Sequence, residues 1–166
     1  MRRLLVVLAA TCLAVPTTLA QTPASGKTAT SWKCAAPSPA NALPVGDEPT
    51  HMYVVEQVTC TAAKGEIAGV KEKEGTATEF AEVTGDTSKG HGVFVETLDN
   101  GDKAFVSYTF TGTSKNKLMV SGSNKWTFTG GTGMLKGVKG NGTCTAKGNA
   151  DGTANFECNG SYTLGK

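Results

Sequence analysis

Cys144 and Cys158 stand at equal distances on either side of Asp151, the middle of Asn149-Ala150-Asp151-Gly152-Thr153. That segment has the residues of a type I turn completed by a left-handed glycine, the usual three-residue hairpin loop with a glycine bulge. The register it sets puts the two cysteines directly opposite one another. At a non-hydrogen-bonded pair the Cα atoms approach to about 4.5 Å, a separation a disulfide spans. A Cys144–Cys158 bridge is expected, and with it a pair of adjacent antiparallel strands.

The remaining cysteines depend on where the mature chain begins. Arg2 and Arg3 form a basic start, Leu4 to Val15 an apolar run, and Thr18-Leu19-Ala20 a small-residue cleavage site, so residues 1–20 read as a signal peptide. The run is too short to span a bilayer. Cys12 suggests a lipidation site, but the apolar stretch continues past it and Thr11 is a poor residue before a lipidated cysteine. It is taken to leave with the leader. Four cysteines then remain, an even number in an exported chain, and Cys34–Cys60 follows by elimination. The cysteines are too far apart in sequence for the close pairs of a zinc site.

Both arginines leave with the leader, so 14 lysines balance 14 acidic residues. Without arginine the chain lacks the forked donor that dominates phosphate and guanine recognition, and its lysines are scattered, so nucleic acid is not an expected partner. No later segment is apolar enough to serve as a membrane anchor.

From Gln21 onward there are 21 Thr, 21 Gly and 11 Val against five Leu, a composition of strand and turn formers. The chain reads as all-β. Residues 21–49, with Pro23, Pro37, Pro39, Pro44 and Pro49, read as an extended N-terminal arm tied down at Cys34, and residues 50–166 as the domain. Eight strands are expected: 51–61, 76–84, 91–98, 103–111, 117–123, 125–129, 138–146 and 153–164. Glu66 to Glu74 could form a couple of helical turns before Gly75. Asp99-Asn100-Gly101-Asp102 places Asn-Gly at the centre of a two-residue turn. That turn pairs Val95 with Val106, Val93 with Tyr108, Phe94 with Ser107 and Glu96 with Phe105, and it leaves open which face is interior.

Trp126-Thr127-Phe128-Thr129-Gly130-Gly131-Thr132-Gly133-Met134-Leu135-Lys136-Gly137 resembles the allene oxide cyclase and dirigent barrels. In those proteins a strand ends in a Gly-Gly-Ser/Thr-Gly turn, an apolar residue plugs the barrel end and a glycine-rich strand follows. The upstream order fits: a strand bearing Glu56, an Asn-Gly hairpin, and the aromatic strand from Phe105 to Phe110. The likeness runs from about His51 to Thr145, and the phrase from His91 to Thr111 is most similar to small secreted bacterial members. The resemblance implies an eight-stranded antiparallel barrel, trimeric in its plant relatives. Short strands with two partly apolar faces need closure or a second layer to remove their edges, so a two-sheet β-sandwich is the alternative.

Glu56 is the first candidate for chemistry. It sits among Met52, Val54, Val58 and Cys60 on the alternate face of its strand, where desolvation should raise its pKa. The resemblance gives a glutamate at this place a role inside the barrel, acting on the ligand. It also places the cyclase's catalytic cysteine near Phe94, and phenylalanine cannot replace a thiol. The bland reading is that Glu56 pairs with a buried Tyr, Ser or Lys. Met52, Val54, Glu56 and Val58 are the candidate ligand-binding residues, and Tyr108 a possible donor beside Glu56. Tyr53, Phe94, Phe105, Phe110, Trp126, Phe128 and Phe156 either line a pocket or fill the barrel.

Other signals reduce to structure. His51 and His91 show no ligand pattern and read as strand-end surface residues. Gly26-Lys27-Thr28 lacks the earlier glycine of a phosphate loop. Asp99 to Asp102 is too short for a calcium loop. The sequons at Asn141 and Asn159 matter only where the host glycosylates. No serine, histidine and aspartate set forms a recognisable motif. The sequence therefore points to a secreted or periplasmic, disulfide-stapled barrel without metal or cofactor. It is expected to be a non-catalytic binding or structural module for a small apolar molecule, with a homotrimer as a possible assembly. The competing expectation is a cofactor-free isomerase or cyclase working around Glu56.

Overall fold

The computed structural model describes residues 25–165, so the signal peptide expected over residues 1–20 lies outside the described residues. Ten strands follow in order: β1 (Ser25–Cys34), β2 (Ala40–Pro44), β3 (Met52–Lys64), β4 (Glu66–Ile67), β5 (Val70–Thr84), β6 (Thr87–Leu98), β7 (Lys103–Lys115), β8 (Leu118–Gly131), β9 (Lys139–Gly148) and β10 (Ala154–Thr163). A single 3₁₀ turn, Gly133–Leu135, precedes β9.

Eight of these strands close an antiparallel barrel in the order β1-β10-β9-β8-β7-β6-β5-β3, and β3 returns to β1. Closure pairs every barrel strand on both sides, which excludes the two-sheet sandwich and removes the open edges that invite aggregation. β1 is where the arm was expected. It runs between β10 and the second half of β3, and Thr28, Thr30, Trp32 and Cys34 alternate inward and are buried. Pro23 precedes β1 and the other prolines of the segment follow Cys34, so none interrupts this strand. β2 lies beside the first half of β3 and is exposed along its whole length.

Three other local expectations are corrected. Residues 117–123 and 125–129 form one strand, β8, because nothing in Ser123-Asn124-Lys125 breaks an extended chain. The segment from Glu66 to Glu74 is not helical: β4 folds back on the start of β5 in a tight hairpin. The 99–102 turn holds one residue more than the two-residue reading. Leu98 donates its N–H to Asp102 O at 2.9 Å, Gly101 donates to Leu98 O, and Gly101 alone takes positive φ, at 85°. This is a type I turn with a glycine bulge, like the one at 149–153. The register moves by one residue, so Phe94 faces Val106, Glu96 faces Ala104 and Val95 faces Phe105. A one-residue shift changes which residues share a face. Here Phe94, Glu96, Val106 and Tyr108 go inside, while Val93 and Val95 go outside.

Both disulfides have the expected partners, Cys34–Cys60 and Cys144–Cys158, and each joins residues directly opposite on neighbouring strands. The interior is filled by setting aromatic rings over glycines. The ring of Phe94 covers Gly75, Tyr108 covers Gly92, Phe110 covers Gly90, and Trp126 lies across both Gly142 and Gly160. A Cβ at any of these glycines would occupy ring space, which explains how a narrow barrel holds so many large side chains. Each ring so buried contributes roughly 1.5–3 kcal/mol.

Candidate functional site

The barrel is a cup. One end is sealed by Ile67, Leu98, Leu135 and Val138, all fully buried. Ile67 comes from the β4 hairpin, and Leu135 from the 3₁₀ turn that follows the Gly-Gly-Thr-Gly segment, the plug position the resemblance implies. The other end is open. Along β3 the side chains of Met52, Val54, Glu56 and Val58 point inward yet are only half-buried. Surface that inward-pointing groups keep is surface inside the cup, so solvent reaches past them.

Glu56 lies directly opposite Glu79 on β5. Across the interior, Tyr108 of β7 leans over Gly92 and donates its hydroxyl to Glu79 Oε2 at 2.5 Å. That bond needs Gly92, because a Cβ there would come within 2.5 Å of the hydroxyl. Burial pushes Glu56 up from the ordinary 4.5 to about 7, and the hydrogen bond and charge of Glu79 act in the same direction. Two adjacent carboxyls with no cation beside them hold a proton, since both cannot ionise cheaply. Glu79 takes the tyrosine's hydrogen bond, and Glu56 is the carboxyl whose protonated form is favoured. Burial first, and Glu79 next, raise Tyr108 above the ordinary phenol range, so it is a neutral donor and not a base. The arrangement offers a carboxyl of raised pKa, half-open to the cup, beside a second carboxyl held in place by a phenol. It can donate a hydrogen bond or a proton to an oxygen or nitrogen of a guest molecule.

Glu79 completes this set and was not singled out from the sequence. The signal was present: Ala77, Glu79 and Ala81 alternate in the strand 76–84 exactly as Val54, Glu56 and Val58 do in theirs, but two small neighbours mark an inner face less clearly. Asn124 adds another interior polar group, its Oδ1 buried without a hydrogen-bond partner.

The histidines stand apart. His51 bonds Asp47 through Nδ1 at 2.8 Å and Glu82 through Nε2 at 3.1 Å, clamping the β2–β3 connection at the surface. His91 is exposed in mid-β6, with its ring 5.8 Å from Phe80. Neither approaches Glu56 or Glu96. Phe94, at the place of the cyclase's cysteine, faces inward and meets Trp32 edge-on at 5.1 Å. Tyr53 belongs to the outer face, where it stacks on Phe80 at 5.3 Å, so it lines no inner pocket. A surface groove of about 720 Å³ also lies outside, among the hydroxyls of Thr111, Thr113, Ser121 and Ser123. Those residues alternate with the inward-facing Phe110, Gly112 and Gly122.

No protein-family model and no curated protein sequence matches the chain. Among solved structures it is similar to two pterocarpan synthase dirigent proteins. PsPTS1 aligns at a TM-score of 0.52 and 13% identity, covering 88% of this chain and 99% of that one. GePTS1 aligns at 0.49 and 14% identity, covering 93% and 98%. At this level of identity the likeness concerns the fold: the chain is a closed, eight-stranded barrel of the dirigent type, stapled by two disulfides.

Proposed function

We propose that this protein is exported, in the manner of small bacterial barrels of this type, and holds a small, largely apolar molecule in the open half of the barrel. Glu56 contacts the guest and Met52, Val54 and Val58 form the wall. The carrying observation is the inward strip of β3, half-buried and bearing the carboxyl of Glu56, in a barrel sealed at its far end. Pockets of this kind combine apolar walls with a few placed polar groups. The two disulfides support an oxidising compartment. Native mass spectrometry of the mature protein tests the reading: a passenger mass that departs on unfolding, and is lost in Val54→Glu, is expected. A bare protein that also binds nothing from a library of apolar alcohols and phenols would overturn it.

The placement of Glu56 opposite Glu79, which Tyr108 holds, favours a second reading, a cofactor-free isomerase or cyclase in which Glu56 gives a proton to the guest and Tyr108 steadies Glu79. Turnover abolished by Glu56→Gln in a folded protein would establish it. Assembly as a homotrimer is part of the same proposal. The outer face of β3, β5 and β6 exposes Val55 at 48% and Val93 at 49%, with Tyr53, Phe80 and Val95 beside them. Such a patch suits a second copy. A monomer in sedimentation at working concentration would remove that part.

A further inference from the structure

Glu72 on β5 and Glu96 on β6 are a second pair of acids, both buried on the inner face of adjacent strands at the sealed end of the barrel and outside the Glu56 site. Glu96 is 4% exposed and its Oε1 has no hydrogen-bond partner among the described residues. Thr30 donates to Glu72 Oε2 at 2.6 Å, and the Thr28 hydroxyl lies 3.2 Å from that of Thr30. No cation faces the two acids among the described residues. β1 presents Thr28 and Thr30, β6 presents Leu98 beside Glu96, and β10 presents the Tyr162 hydroxyl. The side chains of Lys64, Glu66, Lys71, Lys73 and Glu74 are exposed on the outer side.

The pair sits at the foot of the plug. The backbone N–H of Glu72 donates to Gly65 O at 3.1 Å, and a Cβ on Gly65 would come within 1.7 Å of Glu72 Oε2. Beyond Gly65 the hairpin inserts Ile67 and turns through Ala68 and Gly69, both at positive φ. Ala68 donates its N–H to the Tyr162 hydroxyl at 2.9 Å. Beneath the pair, Phe94 and Trp32 fill the barrel.

We propose that Glu72 and Glu96 share one proton, and that this proton latches the 65–70 hairpin shut over the barrel end. Losing it releases Ile67 and opens a second way into the barrel. Burial raises both acids, and Glu72 raises Glu96 further, so the closed form keeps the proton where an open, hydrated form would give it up. Opening coupled to loss of one proton becomes roughly tenfold more favourable per pH unit.

Amide hydrogen exchange on the disulfide-bonded mature protein, from pH 5.5 to 8.5, tests the latch after correction for intrinsic exchange. Protection at residues 67–70 is expected to fall roughly tenfold per pH unit while β9 and β10 stay protected. Glu96→Gln should flatten the slope by supplying a permanent neutral donor, and Glu72→Gln serves the same purpose if the first variant folds poorly. Glu56→Gln should leave it unchanged. A flat profile in the unmodified protein overturns the proposal. So does a slope that persists in both variants, or one shared by β9 and β10.

Discussion

The two ends of the barrel hold the same chemical device, a pair of glutamates on adjacent strands, in opposite settings. At the open end Glu56 and Glu79 are half-buried, a phenol holds one of them, and solvent reaches the other. At the sealed end Glu72 and Glu96 lie under a hairpin with two threonines for company. The contrast teaches that position along the barrel, more than residue type, decides what a carboxyl pair can do. One pair can meet a guest, whereas the other can only exchange a proton with the fold around it.

Substitutions that shrink the seal should break this contrast most severely. Leu135→Ala, at a fully buried plug, is expected to cost about 3 kcal/mol of stability by denaturant titration, and Val54→Ala at the open end about 1 kcal/mol, because an open site leaves little cavity. Equal losses would mean that the open end is packed as tightly as the seal. Removing either disulfide as a double Cys→Ser variant should cost about 3 kcal/mol. The Cys34–Cys60 loop, with its separation of 26 against 14, should cost a few tenths more. Differential denaturation of the two variants checks the order.

Gly92→Ala should cost about 2 kcal/mol, since the added methyl meets the Tyr108 hydroxyl and displaces it from Glu79. Gly101→Ala, which meets no atom but takes a positive φ, should cost about 1 kcal/mol through backbone strain alone. The last effect is in pH dependence. Between pH 4.5 and 7 the folded chain keeps a proton on Glu56 that the unfolded chain has lost. Its contribution is therefore full below 4.5, declines as pH rises through 7 and is flat above. Glu56→Gln should shallow the fall of Tm over that window, read by calorimetry. An unchanged fall would assign the proton to the sealed-end pair instead.

Much of this was legible in local patterns. The Cys144–Cys158 pairing, the 149–153 hairpin and the inward face of β3 followed from spacing and alternation, because a turn with one favoured geometry fixes which residues oppose, and Cys34–Cys60 followed by elimination. The Asn100-Gly101 turn shows where that logic stops. Asn-Gly suits two turn lengths, and the two differ by a register step that decides whether Phe94 and Glu96 face the core. Glu72 was out of reach for another reason. A bulge between Glu72 and Glu74 reverses the alternation of β5, so an acid that shares a face with Glu74 by counting lies on the opposite one. β1 was hidden by its own neighbours, since the prolines that follow Cys34 made the whole segment read as an arm.

By itself the sequence determined the β class, the Cys144–Cys158 staple and Glu56's place on an inner face, all of which depend on residues near one another in the chain, while Cys34–Cys60 followed by elimination and the plug turn from the resemblance. Tertiary structure alone decided that β1 completes the ring, that Glu79 and Tyr108 converge on Glu56, and that a second acid pair lies under the hairpin. Those contacts join strands far apart in sequence, and the barrel's shear, with its bulges, sets which of them meet. Alternation along a single strand carries no record of that offset.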